Sequence, residues 1–431
     1  MHQIDAPMTG GKPGAEDLRF IAGGYQGVLD RAFPQAEGGS LLLVDVSSIV
    51  RFDPGTGIQR VVRRVLQELM TSTELPFRVE PVYEYQGRYY FARRFGHRIL
   101  GLSLPDQARR WRPDALVEPQ EGDVFLGLDW AQPMVKSAEQ TLTGWRSAGV
   151  SLHFVVYDLL PLQLPQYFPR RFGREMEEWL SRIAGLADSL QCISQSVASE
   201  VSASLDALGF SQAGPVVDSF PLGADFLNAA RVPGEPVPGL TLGEDDRLVC
   251  LMVGTLDPRK GYAQALAAFE VLWQERAPVR LVIVGRPGAM NARLAARLRR
   301  HPQSRGDAPA LAWLESAPDG QLAWLYQKAD FLLAASEGEG FGLPLAEAVA
   351  YGVPVLARGL PVFREVLGSN AEYFEGGDAA SLADSIGSYI DRLSAGEIPE
   401  PEAPDIRSWH DCARILAGNL SAFVAKPAGK V

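Results

Sequence analysis

The densest cluster of residues that could do chemistry is the segment from 336 to 357, SEGEGFGLPLAEAVAYGVPVLA. An apolar run ends near Ser336, glycines follow at 338, 340 and 342, and Pro344 is expected to open a helix that Gly352 closes. Leu343, just before that helix, cannot cap its exposed N–H groups as Ser, Thr, Asp or Asn would. Because an uncapped helix start flanked by glycines binds anions, the pattern predicts a site for a nucleotide phosphate.

Two carboxylates flank this turn. Glu339 precedes it and Glu347 is expected on the first turns of the helix, so the spacing aims both at one cleft. Carboxylates accept paired hydrogen bonds from vicinal hydroxyls, such as those of a ribose or a hexose. Taken singly, each glutamate is better interpreted as a surface charge and the glycines as the shape of a strand-to-helix turn.

The elements that must position these residues alternate between short apolar runs and longer helical stretches. The runs are 40–46, 123–128, 152–157, 189–193, 248–253, 280–284, 331–335 and 353–356. This rhythm is typical of parallel sheets with helical crossovers, and strands covered on both faces are apolar at successive positions, as these are. The sequence therefore predicts an α/β fold.

Length and composition divide the chain further. At 431 residues it exceeds one ordinary domain. A proline- and glycine-containing segment, 226–246, is interpreted as a linker between a domain at 40–225 and another at 247–398. The tail, 399–431, contains a helical stretch at 406–423 that is expected to return to the first domain. Residues 1–39 form an N-terminal extension with no interpretable pattern.

From Glu339 to Val355 the sequence resembles the E-x7-E motif of the retaining glycosyltransferases of family 4, whose pattern EGFGLPxxEAMAxGxPV it matches almost position by position. Other segments similar to that family are PGTGIQRVV at 54–62, FVVYDLLPLQLPQYFP at 154–169, VGTLDPRKGY at 253–262 and LVIVGRPG at 281–288. The resemblance covers roughly 41 to 409. It implies a GT-B fold, in which two Rossmann-like domains face each other across a cleft.

The resemblance also implies roles for residues. Lys260 and Arg259 would bind the diphosphate of a nucleoside diphosphate sugar, Glu339 the sugar hydroxyls and Glu347 the ribose. Other donor-binding positions would be Gly57, Thr255, Gly285, Arg286, Gly340, Phe341, Gly342 and Leu343. The acceptor side would include Tyr157, Arg60 and Asp158, with Asp158 a candidate base.

Two departures from the family pattern affect these roles. Members commonly carry an arginine where Thr255 stands, so Arg259 is expected to supply the second cation beside Lys260. Many members carry a histidine where Tyr157 stands. Because a phenol cannot become a cation near neutral pH, hydrogen bonding is the expected role of Tyr157.

Charge and composition bound the partners. The formal net charge of −11 disfavours nucleic acid. The arginine-rich segment Arg88–Arg112 is either a solvated face or a contact for an anionic acceptor or the inner membrane surface. The first thirty residues hold no apolar secretory signal, and the three cysteines are scattered, so a cytoplasmic protein with reduced cysteines is expected. No histidine pair has metal-ligand spacing, which implies neither a metal nor another cofactor.

These observations predict a metal-independent, retaining hexosyltransferase that acts on a glycan or a lipid-linked acceptor. The first-domain phrases GTGIQRVV and YDLLPLQLP are similar to those of bacterial mannosyl- and rhamnosyl-type transferases of surface polysaccharides. A sugar-nucleotide epimerase on the same fold is one alternative, which would turn over without an acceptor. A silent nucleotide-sugar-binding protein is another, which would bind without turnover.

Overall fold

The computed structural model describes residues 40–53, 55, 57–101, 114–210, 214–224, 234–288, 290–306, 309–401 and 407–423. The chain divides into two compact units. The first contains the residues up to Leu222 together with those from Trp409, and the second contains Gly223–Ser408. The boundary after Leu222 lies just before the predicted linker, 226–246, which is part of the second unit; its first residues, like 1–39, lie outside the described ranges.

The first unit is a seven-stranded sheet with the order β3-β2-β1-β4-β5-β6-β7. Its strands are β1 Ser40–Asp45, β2 Phe77–Tyr85, β3 Arg88–Phe91, β4 Val124–Gly127, β5 Ser151–Val156, β6 Ser189–Cys192 and β7 Val216–Ser219. Its helices are α1 Ser47–Arg51, α2 Gly57–Thr71, α3 Arg93–Ile99, α4 Gln132–Ser137, α5 Glu139–Ser147, α6 Leu160–Gln163, α7 Arg170–Leu186 and α8 Gln195–Ala207. All neighbouring strands are parallel except the pair β2–β3.

The second unit is a six-stranded sheet with the order β10-β9-β8-β11-β12-β13, parallel throughout. Its strands are β8 Leu248–Val253, β9 Val279–Val284, β10 Leu311–Leu314, β11 Phe331–Ala334, β12 Val355–Arg358 and β13 Ala371–Phe374. Its helices are α9 Tyr262–Gln274, α10 Ala292–Arg300, α11 Asp319–Lys328, α12 Leu343–Ala350, α13 Pro361–Leu367 and α14 Ala379–Ser394. On one face, the apolar sides of α9 and α14 pack with strand residues in one buried core.

The last helix, α15 Trp409–Ser421, belongs to the first unit and packs against α2. A buried polar chain extends from the sheet to this helix. His153 Nδ1 lies 2.7 Å from Ser189 Oγ, Gln191 donates to the same hydroxyl oxygen at 2.8 Å, and Asn419 of α15 donates to Gln191 at 2.9 Å. His153 is therefore the core histidine that its apolar strand predicted. The helix predicted in the C-terminal tail is α15.

The arginine-rich segment Arg88–Arg112 begins in the edge strand β3 and continues through α3. Arg93 lies 4.0 Å from Glu80, and its guanidinium stands over the ring of Phe91. The last arginines of the segment, 109, 110 and 112, lie outside the described residues. Within the described ranges, no helix combines the length and apolar character needed to cross a membrane.

Candidate active site

Each sheet contains one pair of adjacent strands that are not consecutive in the sequence. In the second unit this switch point lies between β8 and β11. In doubly wound sheets the loops on the two sides of such a point diverge, and ligands bind in the crevice at the carboxyl ends of the strands. The loop after β8 carries Arg259 and Lys260, and the loop after β11 carries Ser336 and Glu339. The residues predicted to handle the donor thus meet where the topology favours a ligand.

The two loops are joined by their backbones. Gly261 has φ 70°, and a Cβ there would lie 2.2 Å from the carbonyl oxygen of Ala335. Only glycine therefore allows this close approach. In addition, the N–H of Glu337 donates to the carbonyl oxygen of Arg259 at 2.7 Å. The short 3-10 turn Pro258–Lys260 is thereby fixed against the end of β11.

Glu339 is the centre of the cluster. Its Oε1 accepts hydrogen bonds from Lys260 Nζ at 2.7 Å and from Ser336 Oγ at 2.8 Å. Arg259 Nη1 lies 3.2 Å from its Oε2 and also donates to the carbonyl oxygen of Gly338 at 2.7 Å. The side chains of Arg259, Lys260 and Glu339 are each only 12 to 17% exposed. The cluster is therefore a shielded ion-pair network with one more cation than anion.

This network determines the charge of Glu339. Burial alone would raise the pKa of the carboxyl, but the charges of Lys260 and Arg259 hold the pKa of Glu339 at about 2. At any physiological pH Glu339 is thus ionised.

The helix after the turn begins one residue earlier than predicted. Gly342, with φ 100°, is the residue before α12, and Leu343 is already helical, so the expected position of Leu343 was wrong. A Cβ at Gly342 would lie 2.8 Å from the ring of Phe363. No side chain caps the N–H groups of this helix start. Pro344 has no N–H and the N–H of Leu345 donates to the carbonyl oxygen of Gly342 at 2.9 Å, so the N–H of Leu343 is the helical donor that this start offers to the predicted anion site.

Glu347 is more enclosed than its position suggested. The residue is 1% exposed, and its Oε2 accepts a hydrogen bond from the Tyr326 hydroxyl at 2.8 Å. The ring of Tyr326 stacks on Tyr351 with centroids 5.3 Å apart. The spacing placed Glu347 correctly on α12, but the carboxylate is held by a tyrosine 21 residues away, a contact that motif spacing does not predict.

The other predicted donor positions surround the ends of β8 and β9. Thr255 is half-buried and Arg286 is exposed. The loops that carry them are joined by a hydrogen bond from the N–H of Leu256 to the carbonyl oxygen of Arg286, at 2.9 Å. Gly285 abuts Gly254, so closely that a Cβ on Gly285 would lie 1.8 Å from the Gly254 carbonyl oxygen. Phe341 is buried in the turn before α12, and Gly340 lies beside it.

The acceptor-side predictions lie in the first unit. Asp158 follows β5, is half-buried, and accepts a hydrogen bond from the N–H of Leu160 at 3.1 Å. Gly57 begins α2 and Arg60 lies on its first turn, half-buried. Tyr157 is different. It is 3% exposed and its hydroxyl donates to the carbonyl oxygen of Leu128 at 2.7 Å, so its hydrogen bond serves the core rather than an acceptor.

A buried polar cluster in the first unit was missed. Asp45, at the end of β1, is 1% exposed and accepts from the backbone N–H of Ser47 at 2.9 Å. Asp129, after β4, accepts from the N–H of Ile49 at 2.6 Å and so holds the start of α1. Burial raises the pKa of Asp45 to about 7, with Asp129 acting in the same direction against hydrogen bonds from Ser47. An aspartate directly after an apolar strand was the available signal.

Replacing Asp45 by asparagine should change how stability depends on pH. The folded protein keeps the Asp45 proton up to about pH 7, whereas an unfolded aspartate loses it near pH 4. The folded state therefore binds more protons in this interval, and the free energy of unfolding falls as pH rises from about 4 to 7. Asp45→Asn removes that fall, so its stability relative to the parent should rise by on the order of 3 kcal/mol between pH 4 and 8.

Urea unfolding at both pH values measures this change. Asp384→Asn, at an exposed position of α14, is the matched control and should follow the parent. Equal pH dependence of Asp45→Asn and the parent would contradict the assignment of a buried, protonated Asp45.

Among the residues that the structure describes, no group of three or more His, Cys, Asp or Glu side chains is arranged to hold a metal ion. The three cysteines are buried and free. The predicted metal independence of the reaction stays a prediction.

Comparison with solved structures shows which class of fold the chain has. Both units are Rossmann-like, and solved structures with this architecture include a glycosyltransferase. HepE of Anabaena, solved with UDP-glucose, superposes with a TM-score of 0.61 at 15% identity, over 88% of this chain and 99% of HepE. WaaG, a glycosyltransferase of lipopolysaccharide biosynthesis, gives a TM-score of 0.56 at 13% identity, over 88% of this chain and 100% of WaaG. The chain has the GT-B fold.

Sequence comparisons are more specific. Residues 241–394 match the family model described as glycosyl transferases group 1, so the second unit carries a glycosyltransferase domain. The serotype-specific mannosyltransferase WbdA of Escherichia coli is 35% identical over 396 residues, 90% of this chain and 46% of WbdA. The chain thus spans about half the length of that relative. O-antigen chain mannosyltransferase B of Escherichia coli is 27% identical over 244 residues, 56% of this chain and 58% of that protein.

Proposed function

We propose that the chain transfers a hexose, mannose- or rhamnose-type, from a nucleoside diphosphate sugar to a hydroxyl of a glycan or lipid-linked acceptor, with retention of configuration and without a metal ion. The observation that carries the proposal is the ion-pair network of Arg259, Lys260 and Glu339 at the β8–β11 switch point. It lies beside the uncapped start of α12. The two cations and the N–H of Leu343 at the helix start together suit the diphosphate of a sugar nucleotide.

The network explains how the donor would be activated. When the bond between sugar and diphosphate breaks, negative charge grows on the leaving phosphate and positive charge on the sugar ring. Lys260 and Arg259, already fixed in place, stabilise that leaving group without reorganising during the reaction. They take the part that a divalent ion has in other transferases.

Glu339 does not have to release the cations for this to happen. An ammonium has three N–H donors and a guanidinium five. Lys260 donates to Glu339 through one of its three N–H groups, and Arg259 donates through Nη1 to the Gly338 carbonyl oxygen and lies against Glu339. Glu339 therefore positions both cations, in addition to the contact with sugar hydroxyls that the family resemblance implies.

The sugar is proposed from the relatives. WbdA is a serotype-specific mannosyltransferase and mannosyltransferase B an O-antigen chain mannosyltransferase, and 35% identity to WbdA over 90% of this chain supports the same donor class. The retaining outcome is proposed from the E-x7-E resemblance. The ribose contact of Glu347 belongs to the same proposal.

One experiment tests reaction, configuration and metal dependence together. The purified chain is incubated with a nucleoside diphosphate mannose and a mannose-terminated oligosaccharide in excess EDTA, and the product is analysed by proton NMR. We expect transfer at an undiminished rate and a new linkage with the anomeric configuration of the donor. Loss of turnover in EDTA that magnesium restores would refute the metal-free mechanism, and an inverted linkage would refute retention.

The same assay separates the alternatives. An epimerase would convert the sugar nucleotide when the oligosaccharide is omitted, and a silent binding protein would bind it with no product in either case. Neither outcome is compatible with the proposal. Parallel assays with nucleotide-linked rhamnose and glucose decide the donor.

A further inference from the structure

The first unit has a switch point of its own, between β1 and β4. Trp130 lies there, three residues beyond the end of β4 and directly after Asp129. It is half-buried, unlike its buried neighbours Leu128, Asp129 and Ala131. Part of an indole is therefore open at the edge of the sheet where the fold favours a ligand.

The indole of Trp130 is held by its surroundings. Its ring centroid is 5.2 Å from that of Trp179, a 5% exposed residue of α7, and 6.5 Å from that of Tyr157 in an edge-on arrangement. Tyr157 is anchored in turn by its hydrogen bond to Leu128. The backbone N–H of Trp130 donates to Asp129 at 2.8 Å. Tyr157, whose phenol does not reach an acceptor, thus helps to fix an aromatic ring that is partly open.

We propose that Trp130 is a platform on which a pyranose ring of the acceptor stacks; this inference rests on the proposed function. One face of a pyranose is largely C–H groups, which suit the electron-rich face of an aromatic ring, while its hydroxyls need polar partners at the rim. A ring already immobilised by Trp179 and Tyr157 loses little conformational freedom on binding. Asp158, after the neighbouring strand β5, offers a carboxylate on the same edge of the sheet.

Other surface features give weaker support for a ligand site than Trp130 does. The groove between α2 and α15, lined by residues such as Glu68, His410 and Arg414, has no feature that selects an occupant. Phe52 is exposed at 71%, and the ring of the exposed Phe172 is covered by the guanidinium of Arg171 at 5.1 Å from its centroid. Trp130 combines partial exposure, a fixed ring and a topological switch point.

Substitution of Trp130 tests the platform through the acceptor alone. Trp130→Ala should raise the KM for a mannose-terminated oligosaccharide about tenfold, while the KM for the sugar nucleotide stays at the parent value. Trp130→Phe keeps an aromatic ring and disturbs the packing less, so it should fold and show a smaller increase in the KM for the oligosaccharide. Phe172→Ala removes an exposed aromatic elsewhere in the same unit and should leave both constants unchanged.

Saturation-transfer NMR without any donor makes the test independent of the proposed reaction. Mannotriose, maltotriose and cellotriose are the probes. We expect saturation transfer from the parent to at least one of them and its loss in Trp130→Ala. An unchanged acceptor KM in Trp130→Ala, or no saturation transfer to any of the three sugars, would overturn the platform. If the proposed function is wrong but the platform is right, the chain does not turn over the sugar nucleotide and still binds the trisaccharide.

Discussion

Replacing Lys260 by alanine should lower kcat about a hundredfold or more, because one charge stabiliser of the leaving group is lost. Removal of a single preorganised donor at a site of developing charge typically costs on the order of 3 kcal/mol. The variant should still fold, since Glu339 keeps its contact with Arg259 at 3.2 Å and its hydrogen bond from Ser336. Initial rates at saturating donor and acceptor measure the effect.

Arg259→Ala tests whether Arg259 supplies the second cation beside Lys260. This role is expected because Thr255 stands where the family commonly has an arginine. Its guanidinium is 15% exposed and faces Glu339, so we expect a loss comparable to that of Lys260→Ala. Lys328→Ala, on the exposed surface of α11, is the control and should behave as the parent. If both Lys260→Ala and Arg259→Ala fold and turn over at the parent rate, the diphosphate does not bind at this network.

Most interior strands of both sheets were predictable, and the edge strands were not. All eight apolar runs are strands, with ends within two residues of those expected, because a strand covered by helices on both faces must be apolar throughout. One interior strand, β2, was missed because arginine, glutamate and proline interrupt its apolar residues. The four strands at the sheet edges, β3, β7, β10 and β13, were missed as well. Each has only four residues and is partly exposed, as the sequence AEYF of β13 illustrates. An edge strand needs no continuous apolar run.

The site shows the same division between position and pairing. Motif spacing predicted that Glu339, Lys260 and the start of α12 lie together, and they do, since loops after neighbouring parallel strands meet at one edge. It did not show that Glu339 holds both cations, or that Tyr326 encloses Glu347, because such contacts depend on side chains far apart in sequence. Tyr157 was assigned from its place next to Asp158. A hydrogen bond to Leu128 decides its role instead.

Gly285 shows what a motif residue can mean physically. The GRPG segment suggested a contact with the donor, but the structure gives a steric reason for the glycine. A Cβ at this position would lie 1.8 Å from the carbonyl oxygen of Gly254 and 2.6 Å from its carbonyl carbon. Both are backbone atoms, which cannot swing aside as the end of a flexible side chain would. The crossing of the chains after β8 and β9 therefore requires a residue without a side chain.

The second large effect follows from that crossing: Gly285→Ala should destabilise the protein by about 3 kcal/mol or more, the upper end for overpacking. Hydrogen bonds hold the backbone of both Gly285 and Gly254 in place. The N–H of Gly285 donates to Leu314 and its carbonyl oxygen accepts from Trp313, at 2.8 and 2.9 Å. The carbonyl oxygen of Gly254 accepts from the Tyr262 hydroxyl at 2.7 Å. Relief of the clash must break at least one of these bonds.

Gly387→Ala is the matched control. Gly387 lies inside α14, where a Cβ would meet nothing closer than a Leu272 methyl group at 3.8 Å. Alanine is favoured over glycine in a helix interior, so this variant should gain about 0.5 to 1 kcal/mol. Urea unfolding of the two variants compares the same chemical change in opposite settings. Equal midpoints for Gly285→Ala and the parent would mean that the chains after β8 and β9 do not cross as closely as the structure has them.

The clash should also reach the ion-pair network. A Cβ on Gly254 would lie 3.3 Å from Lys260 Nζ, so the backbone that Gly285→Ala must displace is the backbone against which the ammonium rests. We therefore expect the folded fraction of Gly285→Ala, selected at low temperature, to lose kcat as well as stability. A variant that is destabilised but turns over at the parent rate would show that Gly254 moves without Lys260, and that the ammonium is held by Glu339 alone.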